Sequence, residues 1–180
     1  MFEIFTDGSC NPQDPVSASA CVLFHAAGME VLLSANGLGS VNRAELEGAL
    51  LGLKRVMDLA GIGHPDKRKN LRGKIQVQWY TDRQNIAYAV TPPPGEVPYS
   101  RSVDGDLWAA FGWFESWLDI TAHFRPRNTV GAQRWADDLS GRIRRGFLDL
   151  RPDAGWVGML QATEPKKKKA EAVPAKKNSK

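Results

Sequence analysis

The sequence has little cysteine, no long apolar run and, over most of its length, no excess of positive charge. Cys10 and Cys21 are the only cysteines in 180 residues. Two thiols cannot build a disulfide framework, and they read as reduced side chains of a cytoplasmic protein. No stretch of 18 or more apolar residues occurs, so a membrane span is not expected. The opening Met-Phe-Glu-Ile-Phe has no basic region leading into an apolar one, so no secretory leader is expected either. The net charge of +4 is uneven. Residues 164–180 hold seven lysines and two glutamates, or +5, which leaves −1 on the first 163 residues. Any electrostatic case for a nucleic-acid partner therefore rests on the Lys-rich tail, and such a tail also serves as a simple solubiliser.

What is present is a 42% hydrophobic chain of single-domain length, patterned for alternating strands and helices. Phe2–Asp7 reads as a strand, followed by a loop rich in Gly, Asn and Pro. Ser17–His25 and Glu30–Ala35 read as a hairpin around Ala26-Ala27-Gly28. Asn42 opens a helix to about Ala60, with Leu46, Leu50, Leu53 and Met57 at helical spacing. Ile75–Thr81 reads as a strand, Arg83–Val90 as a short helix stopped by Pro92-Pro93-Pro94, and Asp106–Asp119 as an aromatic-rich helix. Within it either Trp108, Phe111 and Phe114 or the Trp113/Trp117 pair is spaced to face a core. Ile120–Phe124 reads as a strand and Val130–Phe147 as a last helix. The expectation is an α/β fold, a five-stranded mixed sheet with helices on both faces, over residues 1–150. A short extension at 151–163 and a disordered tail at 164–180 follow.

Four acids stand out. Asp7 ends the first strand and Asp82 the fourth, and sites in open α/β sheets form at the carboxyl ends of strands. If those strands are parallel neighbours, the two carboxylates meet. Acids side by side repel, and a hard divalent cation such as Mg²⁺ or Mn²⁺ is the usual reason to tolerate them. Each acid also has a plainer reading. Asp7 before Gly8 suits a turn, Asp82 suits a helix cap, and Glu45 completes a capping box with Asn42. Asp137 and Asp138 lie equally far from the apolar stripe of the last helix. Asp138 has Arg142 four residues on and is explained by an ion pair; Asp137 has no such partner.

The chain resembles the ribonuclease H family, type 1. The resemblance is carried by Thr6-Asp7-Gly8-Ser9, Asn42-Arg43-Ala44-Glu45-Leu46, Tyr80-Thr81-Asp82 and Ala136-Asp137-Asp138-Leu139, in the family's order. It implies a ribonuclease H-like fold and hydrolysis of the RNA strand of RNA–DNA hybrids, leaving 5′-phosphate and 3′-hydroxyl ends. It further implies two Mg²⁺ ions about 3.5–4 Å apart, replaceable by Mn²⁺, with Asp7, Glu45, Asp82 and Asp137 as ligands and catalytic residues. Ser9, Cys10, Asn11, Asn42, Arg43, Gln84 and Arg127 would touch the hybrid.

The chain departs from that pattern where a histidine is usual before the last helix: Arg127 stands about there, and His123 falls on a strand, where a structural role is expected. Arg83 replaces a small residue, and Arg134 an acid. The region 91–105 carries only Arg101, so substrate grip must come from elsewhere. Lys67-Arg68-Lys69, Arg72, Lys74 and the tail lysines are candidates. Two other readings stand beside the active hybrid nuclease: a DNA-directed nuclease of resolvase or integrase type on the same fold, and a catalytically dead hybrid-binding module. A monomer is the default expectation.

Overall fold

A computed structural model describes residues 1–11, 13, 16–36, 39–62, 74–127 and 131–146. The proposed grip residues 67–69 and 72, the extension at 151–163 and the tail at 164–180 lie outside the described residues. Five strands, β1 (Phe2–Cys10), β2 (Ser17–His25), β3 (Gly28–Asn36), β4 (Ile75–Thr81) and β5 (Leu118–Phe124), form one sheet in the order β3-β2-β1-β4-β5. β1 to β3 are antiparallel neighbours; β4 runs parallel to β1, and β5 parallel to β4. Four helices complete the described chain: α1 (Val41–Leu59), α2 (Gln84–Val90), α3 (Gly105–Glu115) and α4 (Gly131–Arg144).

Alternation along β1 and β2 builds the two faces of the sheet. Ile4, Cys21 and Leu23 face α1 in a core that also holds Trp79, Phe111 and Leu118. Phe5, Ala20 and Val22 face the other way, against Ala136, Leu139 and Ile143 of α4. The stripe expected on the last helix is the stripe that packs. Of the two aromatic sets that could face the core, Trp108, Phe111 and Phe114 are the one buried, whereas Trp113 is exposed. Among the described residues no helix is long and apolar enough to cross a membrane.

Two local expectations are corrected. β1 runs on to Cys10, where a loop from Gly8 was expected, because β2 pairs it through Gly8↔Ser19 and Cys10↔Ser17. Gly8 belongs in that strand because α1 touches it: a Cβ there would lie 2.3 Å from the Glu45 backbone nitrogen. The start of α1 is also different. Ser40, not Asn42, is the N-cap, its Oγ accepting from the Arg43 backbone N–H at 3.0 Å. Glu45 is consequently released from any capping box and points into the protein.

β1 and β4 pair only over Phe2–Phe5 with Val77–Tyr80. Past that point Asp7 and Asp82 stand where the two strands have stopped exchanging ladder bonds, and the Thr6 carbonyl accepts instead from the Gln133 side-chain amide of α4. That opening at the carboxyl ends of two parallel strands holds the site.

Candidate metal-binding active site

Asp7 comes from β1, Glu45 from the second turn of α1 and Asp82 from the end of β4. Each offers a carboxylate oxygen, and these oxygens all lie within 4.8 Å of one another. Asp7 and Glu45 are 2% and 0% exposed. Glu45 is anchored through Oε1, which accepts from the Thr6 hydroxyl at 2.6 Å; the same hydroxyl accepts from the Trp79 indole N–H at 2.9 Å. Asp7 accepts a short hydrogen bond from the Ser140 hydroxyl on α4. These donors fix rotamers that spacing along the chain cannot reveal.

The electrostatics are those of buried acids crowded together. Burial, then the neighbouring Glu45, Asp82 and Asp137, pushes the Asp7 carboxyl up to about 8, against the Ser140 hydroxyl, which favours the charged form. Glu45 is also raised, by burial and by Asp82, with the Thr6 hydroxyl opposing. Glu45 Oε2 and Asp82 Oδ1 are buried without a hydrogen-bond partner. Clustered carboxylate oxygens, all hard donors and two of them without a hydrogen bond, fit a divalent cation such as Mg²⁺ or Mn²⁺.

Asp137 stands at the rim on α4, its side chain 35% exposed, and a single residue ties it to the other acids. The Arg127 guanidinium reaches Asp82 at 3.0 Å, Asp137 at 3.5 Å and Asp7 at 3.7 Å. The attraction of these three acids holds Arg127 protonated against its partial burial. Arg83 leans on Asp82 at 3.6 Å. Asp138 pairs with Arg142 at 3.8 Å, outside the cluster, as its spacing suggests.

Of the remaining expected contact residues, Ser9 lines a groove beside the acids, and the described contacts of the others lie elsewhere. Cys10 donates its thiol to the Gly39 carbonyl at 2.8 Å, and Asn11 accepts from the Gln13 backbone. Arg43 is held by a bidentate pair to Asp106, with Asp104 and Glu47 nearby. Asn42 lines a separate small cavity with Asn85, and Gln84 is exposed at the start of α2. Ser9 accepts from Arg144 at 2.8 Å beside the acids. His123 is bonded to Gln78 at 2.6 Å and stacked on Tyr80, a structural role. Lys74 donates to the Glu115 carbonyl. Sequence reasoning misses Ser140 and Gln133 as site residues. Their one legible signal is a polar side chain on the buried stripe of α4.

No known family profile and no curated protein matches the sequence. Solved structures do match. The N-terminal RNase H domain of a Mycobacterium tuberculosis protein superposes with a TM-score of 0.62 at 17% identity, over 81% of this chain and 94% of that one. LC11-RNase H1, solved in complex with an RNA/DNA hybrid, gives 0.59 at 17% identity over 82% and 99%. RNase H1 of the halophilic archaeon Halobacterium salinarum gives 0.52 at 19% identity over 78% and 95%. The chain has the ribonuclease H fold. Identities this low establish architecture, so in this ribonuclease H fold the chemistry has to be argued from the acids themselves.

Proposed function

We propose that the protein is an endonuclease that hydrolyses the RNA strand of RNA–DNA hybrids, using divalent ions held by Asp7, Glu45, Asp82 and Asp137. The observation that carries this reading is the convergence of three carboxylates from three separate elements, two of them buried, with Glu45 Oε2 and Asp82 Oδ1 left without a hydrogen bond. Structural neighbours that include an RNase H1 solved with an RNA/DNA hybrid support the choice of substrate. Two Mg²⁺ ions, replaceable by Mn²⁺, are the proposed cofactors; when bound they supply a deprotonated water and neutralise charge developing on the phosphate.

The chain's own contribution is positioning. Asp7, which neighbours Glu45, Asp82 and Asp137, would help to hold the ions, and Ser140 fixes its Oδ2 by hydrogen bonding. The Trp79–Thr6–Glu45 chain holds Glu45 against rotation. Asp137, more exposed than the others, is placed to serve ions or water that exchange with solvent. Arg127 neutralises the acids in the metal-free protein and, displaced from them, becomes a cation beside the scissile phosphate. Products with 5′-phosphate and 3′-hydroxyl ends follow from water attack on phosphorus with departure of the 3′ oxygen.

One observation favours a second reading. Arg127 and Arg83 already supply positive charge to Asp82, so the cluster could be a cation-sealed, inactive module that only binds hybrids. A cleavage assay separates the two. RNA–DNA hybrid, double-stranded RNA, double-stranded DNA and single-stranded RNA are each incubated with Mg²⁺, Mn²⁺ or chelator. Metal-dependent cutting of the hybrid's RNA strand alone is expected; bound but uncut hybrid under every metal condition would establish the inactive module.

A further inference from the structure

Beside the acids lies an open groove of about 570 Å³. Asp7 and Asp137 form one border, and Ser9, Gly141 and the arginines Arg134, Arg144 and Arg145 line the rest. The arginines belong to one stripe. At about 100° per residue, positions 134, 137, 141, 144 and 145 fall on one side of α4 and its last turn, adjoining the buried stripe of Ala136, Leu139, Ser140 and Ile143. The helix therefore packs by one face and presents guanidiniums along the next, before and after Asp137.

The chemistry of this lining restricts its occupant. Among the described residues no aliphatic or aromatic side chain contributes to it, so an apolar ligand finds little to bury against. The first 163 residues carry a net charge of −1, yet three arginines share this groove beyond the one that neutralises the acids. Its acids are Asp7 and Asp137, which the divalent ions would neutralise, and Asp138, which is paired with Arg142. The guanidiniums of Arg134, Arg144 and Arg145 thus line the groove next to the acids. Planar guanidiniums match phosphate oxygens in a bidentate manner, and several in a row suit a repeated anion rather than a single one.

We propose that this groove is the track for the phosphodiester backbone flanking the scissile phosphate, and that Arg134, Arg144 and Arg145 are its phosphate-binding residues. The inference rests on the nuclease reading and supplies the grip that the Pro-rich segment at 91–105 lacks. Phosphate contacts position a nucleic acid without reading its sequence, so the track holds the strand in register while the acids select where it is cut. Arg144 is also hydrogen-bonded to Ser9 at 2.8 Å, which couples the track to the strand bearing Asp7.

The test is binding of a fluorescent RNA–DNA hybrid to the full chain in chelator, from about 50 to 300 mM KCl, a readout that does not depend on cleavage. The variants are R134A, R145A, the R144A/R145A double and R145K, with K54A on the opposite face of the sheet as control. Removing one phosphate-binding arginine should lower the slope of log affinity against log salt by about 1. The double variant should bind about 10–100-fold more weakly at low salt, R145K should keep the slope, and K54A should match the wild type. Arginines that merely brace α4 would lower the melting temperature and leave the salt slope unchanged, and that result overturns the proposal. Failure of the nuclease reading shows separately, as absence of cleavage with metal while the salt slopes still respond to these variants.

Discussion

Removing Arg127 should weaken the metal-free protein and strengthen its hold on divalent ions. Its guanidinium nitrogens approach Asp82, Asp137 and Asp7 at 3.0, 3.5 and 3.7 Å, and the side chain is 51% exposed. Exposed ion pairs contribute ~0–1 kcal/mol, whereas stripping the partner from a buried charge costs several. A half-screened guanidinium beside two buried acids and one rim acid lies between these, at about 1–3 kcal/mol. Arg127→Ala should therefore lower the melting temperature in chelator by about 2–10 °C. Guanidinium and divalent ions compete for the same oxygens. The stabilisation that Arg127 gives the metal-free state is thus subtracted from metal binding in the wild type. The variant should bind Mg²⁺ or Mn²⁺ about 5–100-fold more tightly, since each 1.4 kcal/mol is tenfold, and saturating metal should restore most of its melting temperature. Titration calorimetry and thermal melts measure both. Metal affinity equal to or weaker than that of the wild type would mean that Arg127 and the ions coexist, and the displacement argument would be wrong.

Three further outcomes follow from the same geometry. Gly8→Ala forces a Cβ to within 2.3 Å of the α1 backbone and should cost about 3 kcal/mol of stability in urea unfolding; an unaltered midpoint would show that β1 and α1 separate freely. Ser140→Ala deletes a fully buried donor to Asp7 and should lower stability by about 1–2 kcal/mol while weakening metal binding; unchanged values on both would remove Ser140 from the site. The folded-state pKa of Asp7, about 8, lies above its unfolded value, so the protonated carboxyl favours folding below pH 4 and that advantage is lost as pH rises towards 8. In chelator the wild-type melting temperature should thus fall more steeply over that window than that of Asp7→Asn. The lowered pKa values of Glu30 and Asp106 act in the opposite direction but are common to both proteins; equal slopes would contradict the burial argument.

Much of this architecture is legible along the chain because local pattern and tertiary environment agree. β2 and β4 occupy the residues their patterns predict, since each lies between clear turn signals and carries apolar residues that the sheet buries. The pattern of β1 understates its length because Gly8 looks like a breaker, when its real constraint is the close approach of α1, thirty-odd residues away in sequence. Ser40 and Asn42 are both good caps two positions apart, and propensity alone does not separate them. The i,i+4 partner Arg142 distinguishes Asp138 from Asp137, and the structure agrees. Ser140, Gln133 and Thr6 are invisible as site residues because their partners are long-range: Ser140 meets Asp7 across 133 positions, and Thr6 meets Glu45 across 39. Arg127 is conspicuous for standing where a histidine is expected, but its bridging of three acids is a tertiary fact. The arginine row on α4 escapes notice because no period of apolar residues marks a groove lined by charge.

The central claim is that the carboxylate cluster itself performs metal-dependent cleavage of hybrid RNA. Its most direct test is a side-by-side assay of the wild type and Asp7→Asn on a labelled RNA–DNA hybrid with Mg²⁺ and with Mn²⁺, alongside hybrid binding and circular dichroism. The account predicts that the wild type cuts the RNA strand, leaving 5′-phosphate and 3′-hydroxyl ends, and that Asp7→Asn stays folded, binds hybrid within a few-fold of the wild type and does not cut. Cleavage by folded Asp7→Asn at a rate near that of the wild type would contradict it.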